Sequence, residues 1–210
     1  MITLLYGTTN PAKLSAMRKS LKPLHIELLG LKDMEGEIPE AIEDGSTPLE
    51  NARKKALSYY AHYKIPVFSC DSGLYLEGLP AHLQPGIHVR TFSGKYMTDE
   101  EMLAYYGGLA LQYGDIKARY FNAICLIMDP EHIYESMDES LASNTFLLTS
   151  KPYPYVRKGF PLDSLSIDIA TGKYYYELNE SKQKNIDADD LVGYDGFAEF
   201  FKNILRKEAQ

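Results

Sequence analysis

The chain has 210 residues, 45% of them hydrophobic, and a formal net charge of −7 at pH 7. This length and apolar content suffice for one well-packed core, so we expect a single domain over residues 1–210. The acidic balance argues against a nucleic-acid polymer as partner, since phosphate contacts need a basic surface.

Hydrophobic periodicity predicts a mixed α/β protein, in which strands and helices alternate. The predicted elements of the first half are a strand at 2–6, a helix at 11–21, a strand at 24–30, a helix at 47–63, and strands at 66–70 and 73–77. Those of the second half are a helix at 98–106, strands near 117–128, 131–149 and 164–177, the last including Tyr174–Tyr176, and a helix at 195–207. Residues 150–163, rich in Pro, Tyr and basic side chains, are predicted to form a mobile loop.

No segment of the sequence has the composition of a membrane anchor or a secretion signal. No apolar run reaches the roughly 18 residues that a membrane span needs, and no charged-then-apolar signal peptide opens the chain. Cys70 and Cys125 are too few for a disulfide framework and fit a reducing compartment. We therefore expect a cytoplasmic protein with no membrane partner.

The histidines and cysteines do not favour a zinc site or a thiol nucleophile. The five histidines are scattered without a spacing typical of zinc ligands. For Cys70, no set of His with Asn or Asp is clearly assigned as its activating partner.

The first candidate binding segment joins the N-terminal strand to the helix that follows it. Thr8, Thr9 and Asn10 lie where the helix begins, so that side-chain oxygens and free N–H groups gather there. Such an end favours anions, and Lys13, one turn further, could reach a phosphate. Taken alone, this segment fits a capped surface helix with a solvated lysine equally well.

The second segment surrounds the start of the predicted helix at 47–63. Ser46 or Thr47 is a suitable N-cap, and Glu50 lies at the capping-box position if Thr47 is the cap. Glu43 precedes the helix and can point into a cleft. Asn51 and Lys55 are one turn apart on the same face and can address one ligand together. Each residue would also fit an ordinary amphipathic helix with solvated charges.

The third segment is Cys70-Asp71-Ser72-Gly73-Leu74, followed by Pro85-Gly86. Asp71 is predicted to fall where a buried strand gives way to a turn, a usual place to present a carboxylate. Ser72 adds a hydroxyl, and Gly73 adds backbone that a phosphate can approach closely. Alone, the tripeptide Asp-Ser-Gly is weak evidence, since such tripeptides commonly only make turns.

Together, the three segments resemble the non-canonical purine nucleoside triphosphate pyrophosphatases, the inosine triphosphate pyrophosphatase family. That family carries Thr/Ser-x-Asn-x-x-Lys, a helix with Glu-x-Gly…Glu-Asn-Ala…Lys-Ala, and Asp-Ser-Gly-Leu…Pro-Gly, and all three occur here in order. Fainter similarities lie at Arg119–Ile124, Lys158–Leu165 and Tyr176–Leu178.

The resemblance implies a long, curved mixed sheet with flanking helices, two lobes around a central cleft, and a homodimer. It also implies a pyrophosphatase that releases a nucleoside monophosphate and pyrophosphate. Because a triphosphate is polyanionic, a divalent cation must neutralise it, and carboxylate oxygens suit Mg²⁺. Glu43 and Asp71 are the predicted metal ligands and catalytic residues, with Asp71 also orienting or deprotonating the attacking water. The predicted substrate-binding residues are Thr8, Thr9, Asn10, Lys13, Asn51, Lys55, Ser72, Gly73, Phe160, Asp163 and Lys184, with Lys182 as an open alternative to Lys184.

The sequence also departs from the family pattern. Cys70 stands where the family usually has an acid, and Arg90 lies one place earlier than the family's arginine. The family's Ser-His-Arg, which holds the purine's keto edge, is replaced by Ile186–Asp190, whose acids accept hydrogen bonds where a keto group needs donors. We therefore do not carry over the purine-keto preference.

Three functions remain open at this point. The first is a nucleoside triphosphate pyrophosphatase with an altered base preference. The second is a nucleotide-binding protein of the same fold with weakened catalysis, an idea motivated by Cys70 and the missing Ser-His-Arg. The third is a related pyrophosphatase for pyrimidine or modified nucleotides, or for another nucleoside diphosphate linkage.

Overall fold

The computed structural model of the chain describes residues 2–91, 94–181 and 194–208. Seven described strands form one mixed sheet in the order β2-β1-β3-β4-β6-β7, with β5 paired to β4. The strands are β1 (Ile2–Tyr6), β2 (Ile26–Gly30), β3 (Val67–Leu76), β4 (Ile116–Ile127), β5 (Ile133–Ser136), β6 (Phe146–Leu148) and β7 (Ser166–Asp168). The helices are α1 (Pro11–Leu21), α2 (Pro48–Tyr63), α3 (Asp99–Tyr113), α4 (Tyr175–Ser181) and α5 (Tyr194–Glu208).

The pairing confirms the predicted mixed α/β fold. Strand β1 pairs in parallel with both β2 and β3. Strand β4 pairs antiparallel with β5 and β6, and β6 pairs antiparallel with β7. Within the described residues, no helix is long and apolar enough to cross a membrane.

The chain divides into two compact units. The described residues of the first lie within Met1–Ser72, Phe121–Ala142 and Gly193–Gln210, and those of the second within Gly73–Tyr120 and Ser143–Val192. The first unit buries two apolar clusters, one of which joins β1 and β3 to α5 through Leu4, Phe68 and Phe201. The second unit is built around Leu74, Tyr106, Phe146 and neighbouring side chains. The predicted arrangement of two lobes around a cleft remains a prediction.

Helix α2 lies where its sequence predicts, with Thr47 as its N-cap but without a complete capping box. The Oγ1 atom of Thr47 accepts the N–H of Glu50 at 3.2 Å, and Pro48 occupies the first helical turn. The carboxylate of Glu50 accepts the N–H and the hydroxyl of Ser46, in place of the Thr47 N–H of a complete capping box. The helix ends at Tyr63. Its C-cap is Lys64, which has a left-handed φ of 55° and donates its N–H to the carbonyl of Tyr60.

The predicted break between strands at 66–70 and 73–77 is wrong, because β3 runs through Asp71, Ser72 and Gly73 without interruption. Beyond Asp71 the strand finds a partner in Gly86: the Leu74 N–H donates to the Gly86 carbonyl at 2.8 Å, and the Gly86 N–H donates back at 3.0 Å. Gly73 permits this pairing, since a Cβ there would lie 3.2 Å from the Gly86 carbonyl carbon. Asp71 and Ser72 therefore project from a strand.

The prediction that Tyr174–Tyr176 lie on a strand is also wrong, although Tyr174 forms an isolated antiparallel bridge with Ile167. Helix α4 begins at Tyr175, and the N–H of Tyr174 is capped by the carboxylate of Glu177 at 2.7 Å. Of the predicted strand region near 164–177, only β7 is a strand, and Pro161–Leu165 form a 3-10 helix. A local capping interaction thus outweighs the β propensity of three tyrosines.

Candidate active site

The ammonium group of Lys55 lies between two carboxylates of the first unit. Its Nζ donates to Oε2 of Glu43 at 3.1 Å and to Oδ1 of Asp71 at 3.3 Å. The side chain of Lys55 is 11% exposed, that of Asp71 17% and that of Glu43 49%. The structure therefore brings together two of the predicted ligands and one predicted phosphate-binding residue, in a place that solvent still reaches.

Asn51 fixes the loop that carries Glu43. Its Oδ1 accepts the N–H of Gly45 at 2.8 Å, and the residue is only 3% exposed. A Cβ on Gly45 would lie 2.7 Å from that same oxygen, so a glycine is needed for the close approach. Asn51 was predicted to bind substrate, but here its carbonyl oxygen is engaged in positioning the loop.

The loop before α1 is organised by its own side chains. The Oγ1 of Thr8 accepts the N–H of Asn10 at 3.2 Å, and Oδ1 of Asn10 accepts the N–H of Lys13 at 3.4 Å. Thr9 is exposed. The N–H of Gly7 donates to the carbonyl of Phe68 at 2.8 Å, which fastens the loop to β3. The loop thereby stays next to the strand that presents Asp71.

The two lysines of the site differ electrostatically. Burial disfavours the charge of Lys55, but Asp71 and Glu43 outweigh it, so the pKa of Lys55 lies above its ordinary value. Burial, reinforced by the charge of Lys55, lowers the pKa of Lys13. The carboxylates of Asp71 and Glu43 act on Lys13 in the opposite sense, which places all four groups in one electrostatic cluster.

Cys70, which stands in place of an acid, carries no charge here. Burial raises the pKa of its thiol to about 12, although Lys13 and Lys55 act to lower it. A thiol with this pKa is protonated at neutral pH and is a poor nucleophile. The electrostatics therefore agree with the sequence, which favours no role for Cys70 in nucleophilic catalysis.

The hydroxyl of Ser72 is held by Asn122, which is not among the predicted site residues. This hydroxyl donates to Oδ1 of Asn122 at 2.7 Å, and Nδ2 of Asn122 donates to the carbonyl of Leu141 at 2.7 Å. Asn122 is 4% exposed. The available signal was its amide within an otherwise apolar stretch of β4, because a buried amide must be hydrogen-bonded.

The second unit contains Gly73, Phe160 and Asp163. The guanidinium carbon of Arg157 lies 4.0 Å from the centroid of the Phe160 ring, within cation–π range. Asp163 lies in the 3-10 helix, and its N–H donates to the carbonyl of Phe160 at 3.3 Å. Lys182, Lys184 and the segment Ile186–Asp190 lie outside the described residues.

The segment 150–163, predicted to be mobile, makes several contacts within the second unit. The N–H of Tyr153 donates to the carbonyl of Ser164 at 2.7 Å, and the N–H of Arg157 donates to the hydroxyl of Tyr176 at 3.1 Å. The ring of Tyr153 lies 5.9 Å from that of Tyr176. Its mobility remains a prediction.

Among the described residues, no group of three or more His, Cys, Asp or Glu side chains forms a potential metal site. The predicted pair consists of two carboxylates, each bonded to Lys55. Any ion held there would need further ligands from substrate or water.

Comparison with known proteins finds a matching family and sequence relatives. A family model described as the Ham1 family matches residues 4–145. A dITP/XTP pyrophosphatase from Syntrophobacter fumaroxidans (strain DSM 10017 / MPOB) is 31% identical over 189 residues, which cover 87% of this chain and 75% of that protein. A dITP/XTP pyrophosphatase from Desulfotalea psychrophila (strain LSv54 / DSM 12343) is 38% identical over 96 residues, 46% of this chain and 42% of that protein.

The fold is likewise shared with a solved structure. That of a HAM1 protein from Coxiella burnetii superposes with a TM-score of 0.73 at 21% identity, covering 99% of this chain and 100% of that one. The resemblance read from the motifs is thereby confirmed at the level of family and fold. The chain belongs to the Ham1 family.

Proposed function

We propose that this chain is a nucleoside triphosphate pyrophosphatase, which hydrolyses its substrate to a nucleoside monophosphate and pyrophosphate. The observation that carries the proposal is the cluster in which Lys55 bridges Glu43 and Asp71 with Lys13 nearby. The relatives named dITP/XTP pyrophosphatase support the reaction class and suggest non-canonical purine nucleotides as substrates.

The lysines are proposed to hold the phosphates. Lys55 stays charged through neutral pH because of its two carboxylate partners, and it acts on phosphate as a point charge. Burial and the charge of Lys55 lower the pKa of Lys13, and a bound phosphate would favour its charged form. Thr8, Thr9 and Asn10 at the start of α1, with Ser72 on β3, would orient the phosphate oxygens.

The carboxylates fit a magnesium site that substrate completes. Mg²⁺ is commonly bound by one or two carboxylates together with substrate phosphates and water. Glu43 and Asp71 supply hard oxygen donors that both approach one point, now taken by Lys55 Nζ. We therefore assign these two residues as the ones that would hold Mg²⁺. Bound there, the ion would supply Lewis-acid polarisation of the phosphate.

Asp71 is proposed to act on the water. A water oxygen forms a bond to the α-phosphorus, the bond from that phosphorus to the α,β-bridging oxygen breaks, and pyrophosphate leaves. Asp71 orients this water and accepts its proton. Because Asp71 projects from the paired strand β3, its carboxylate starts from a rigid position.

The remaining assignments complete the substrate contacts. Phe160 is proposed to stack on the base and Asp163 to read one of its edges, with Lys182 or Lys184 as a further phosphate or base contact. A homodimer and a cytoplasmic location, both expected from the sequence, belong to the same proposal.

A second candidate is a nucleotide-binding protein with weak catalysis. It is favoured by Cys70, since a thiol that stays neutral at pH 7 adds no negative charge next to Asp71. Such a protein would bind nucleotides without Mg²⁺-dependent turnover.

The test is pyrophosphate release with Mg²⁺ across ITP, XTP, dITP and the common purine and pyrimidine triphosphates. Asp71→Asn should abolish release while the protein stays folded, whereas Asp44→Asn, which alters an exposed ion pair with Lys54, should not. Full activity in Asp71→Asn would overturn the assignment. Nucleotide binding without release by the wild type would favour the second candidate, and neither binding nor release would refute both.

A further inference from the structure

The turn Arg157–Phe160 is held by an ion pair between two residues that lie elsewhere in the chain, Arg90 and Asp99. The N–H of Phe160 donates to the carbonyl of Arg157 at 2.9 Å, and Gly159 has a φ of 85°. A positive φ at the third position of such a turn calls for glycine. The turn presents the Arg157 guanidinium over the Phe160 ring as one stacked unit.

Both backbone groups of Gly159 are bound by the same pair of side chains. Its N–H donates to Oδ2 of Asp99 at 2.8 Å, and its carbonyl accepts from Nη2 of Arg90 at 3.4 Å. Arg90 and Asp99 are joined to each other, Nη1 to Oδ1, at 2.7 Å. Arg90, Asp99 and Gly159 are thus each bonded to the other two.

The pair is itself held in place by secondary structure. Asp99 is the first residue of α3, and Nη1 of Arg90 also donates to the carbonyl of Met97 at 3.2 Å. Both side chains are only partly exposed, at 24% for Arg90 and 22% for Asp99. The hydrogen bond from Gly159, followed by the contact with Arg90, lowers the pKa of Asp99, although partial burial acts against it. The carboxylate is thus engaged as an anion.

We infer that Arg90 and Asp99 are positioning residues that hold the turn Arg157–Phe160, and that they thereby set how strongly the protein binds the base of its nucleotide. The inference rests on the proposed role of Phe160 in base stacking. An ordinary helix-capping acid would not need an arginine that also reaches the same glycine. Because neither side chain belongs to the cluster around Lys55, their effect falls on nucleotide affinity and base discrimination.

The test compares Asp99→Ala, Asp99→Asn and Glu101→Ala with the wild type. Asp99→Ala should raise the KM for ITP, and its Kd measured by calorimetry with Mg²⁺, about tenfold, with kcat changed less than about twofold. Asp99→Asn keeps an oxygen for the Gly159 N–H and should recover much of the affinity. Glu101→Ala removes an acid that caps the same helix without contacting Gly159, and should leave KM unchanged.

Hydrogen exchange distinguishes a failure of this inference from a failure of the proposed function. Hydrogen exchange at the amide of Gly159 should speed up in Asp99→Ala and not in Glu101→Ala, whether or not the protein is an enzyme. Exchange that speeds up with no change in KM, Kd or the ITP-to-ATP preference would overturn the inference and leave the proposed function standing. Unchanged exchange at Gly159 would overturn it too. A wild type that neither binds nor hydrolyses any nucleotide would refute the proposed function and this inference together.

Discussion

Replacing Lys55 by Met tests the central cluster most directly. The substitution keeps the apolar stem but removes the cation between the carboxylates of Glu43 and Asp71, so that only Lys13 remains as a cation of the cluster. At separations of 3.1 and 3.3 Å, each pair has a gross attraction of roughly 5 kcal/mol at an effective dielectric of about 20.

The net loss of stability is smaller, for two reasons visible in the structure. Burial of Lys55 already opposes its charge, and Glu43 is half-exposed, so solvent screens that pair. Losing one partner of a buried pair costs about 3–5 kcal/mol, and losing an exposed pair about 0–1 kcal/mol. We expect Lys55→Met to lower the free energy of unfolding by about 2–3 kcal/mol and kcat/KM by about a hundredfold or more.

The assay is urea unfolding at pH 7, together with pyrophosphate release. Lys54→Met is the matched control. Lys54 lies on the same helix as Lys55 but pairs with the exposed Asp44, so its loss should cost less than about 1 kcal/mol. In a double-mutant cycle, Asp71→Asn should cost less when Lys55 is already Met. Equal losses in Lys55→Met and Lys54→Met, or a coupling energy near zero, would refute the reasoning.

Two other features give testable expectations. In Gly7→Ala, the new Cβ would lie 2.7 Å from the Tyr59 ring, so we expect a loss of about 1–3 kcal/mol in urea unfolding. Gly108→Ala, in helix α3 with nothing within 4 Å of the new Cβ, should instead add about 0.5–1 kcal/mol, and a loss there would contradict the helix assignment. The thiols of Cys70 and Cys125, with pKa values raised by burial to about 12, should react with iodoacetamide at pH 8 about a hundredfold slower than a free thiol. Their rates should rise through pH 8–10 without a plateau near 8.5, whereas the urea-unfolded chain should react as free cysteine does.

Local signals were sufficient for most of the elements in the first unit. Thr47 and Pro48 mark the start of α2, and Pro66 lies just beyond its end. These signals can be read locally because helix caps and prolines act on the adjacent backbone. The same holds for α1, predicted at 11–21 and observed at Pro11–Leu21. Boundaries that depend on neighbouring residues in the chain can be read from the sequence.

Where a distant residue decides the structure, the sequence was misleading or silent. Asp-Ser-Gly favours a turn locally, but pairing of Leu74 with Gly86 keeps β3 extended. The sequence marks Asn122 only by its amide in an apolar stretch and gives no signal for Asp99, because the roles of both depend on Ser72 and Gly159, which lie 50 and 60 residues away. The sequence predicts Glu43 and Asp71 together as metal ligands and Lys55 as a phosphate contact, but only the structure shows the lysine between the acids.

The first unit draws on both ends of the described chain, and this has a consequence for biosynthesis. Its core packs Leu4 and Phe68 against Phe201 of α5, although more than a hundred residues separate the last two in sequence. During translation, the N-terminal strands emerge well before α5 and leave an apolar surface uncovered until residues 194–208 have left the ribosome. A messenger truncated before that point would yield a nascent chain with its hydrophobic face exposed, a form suited to capture by chaperones or proteases.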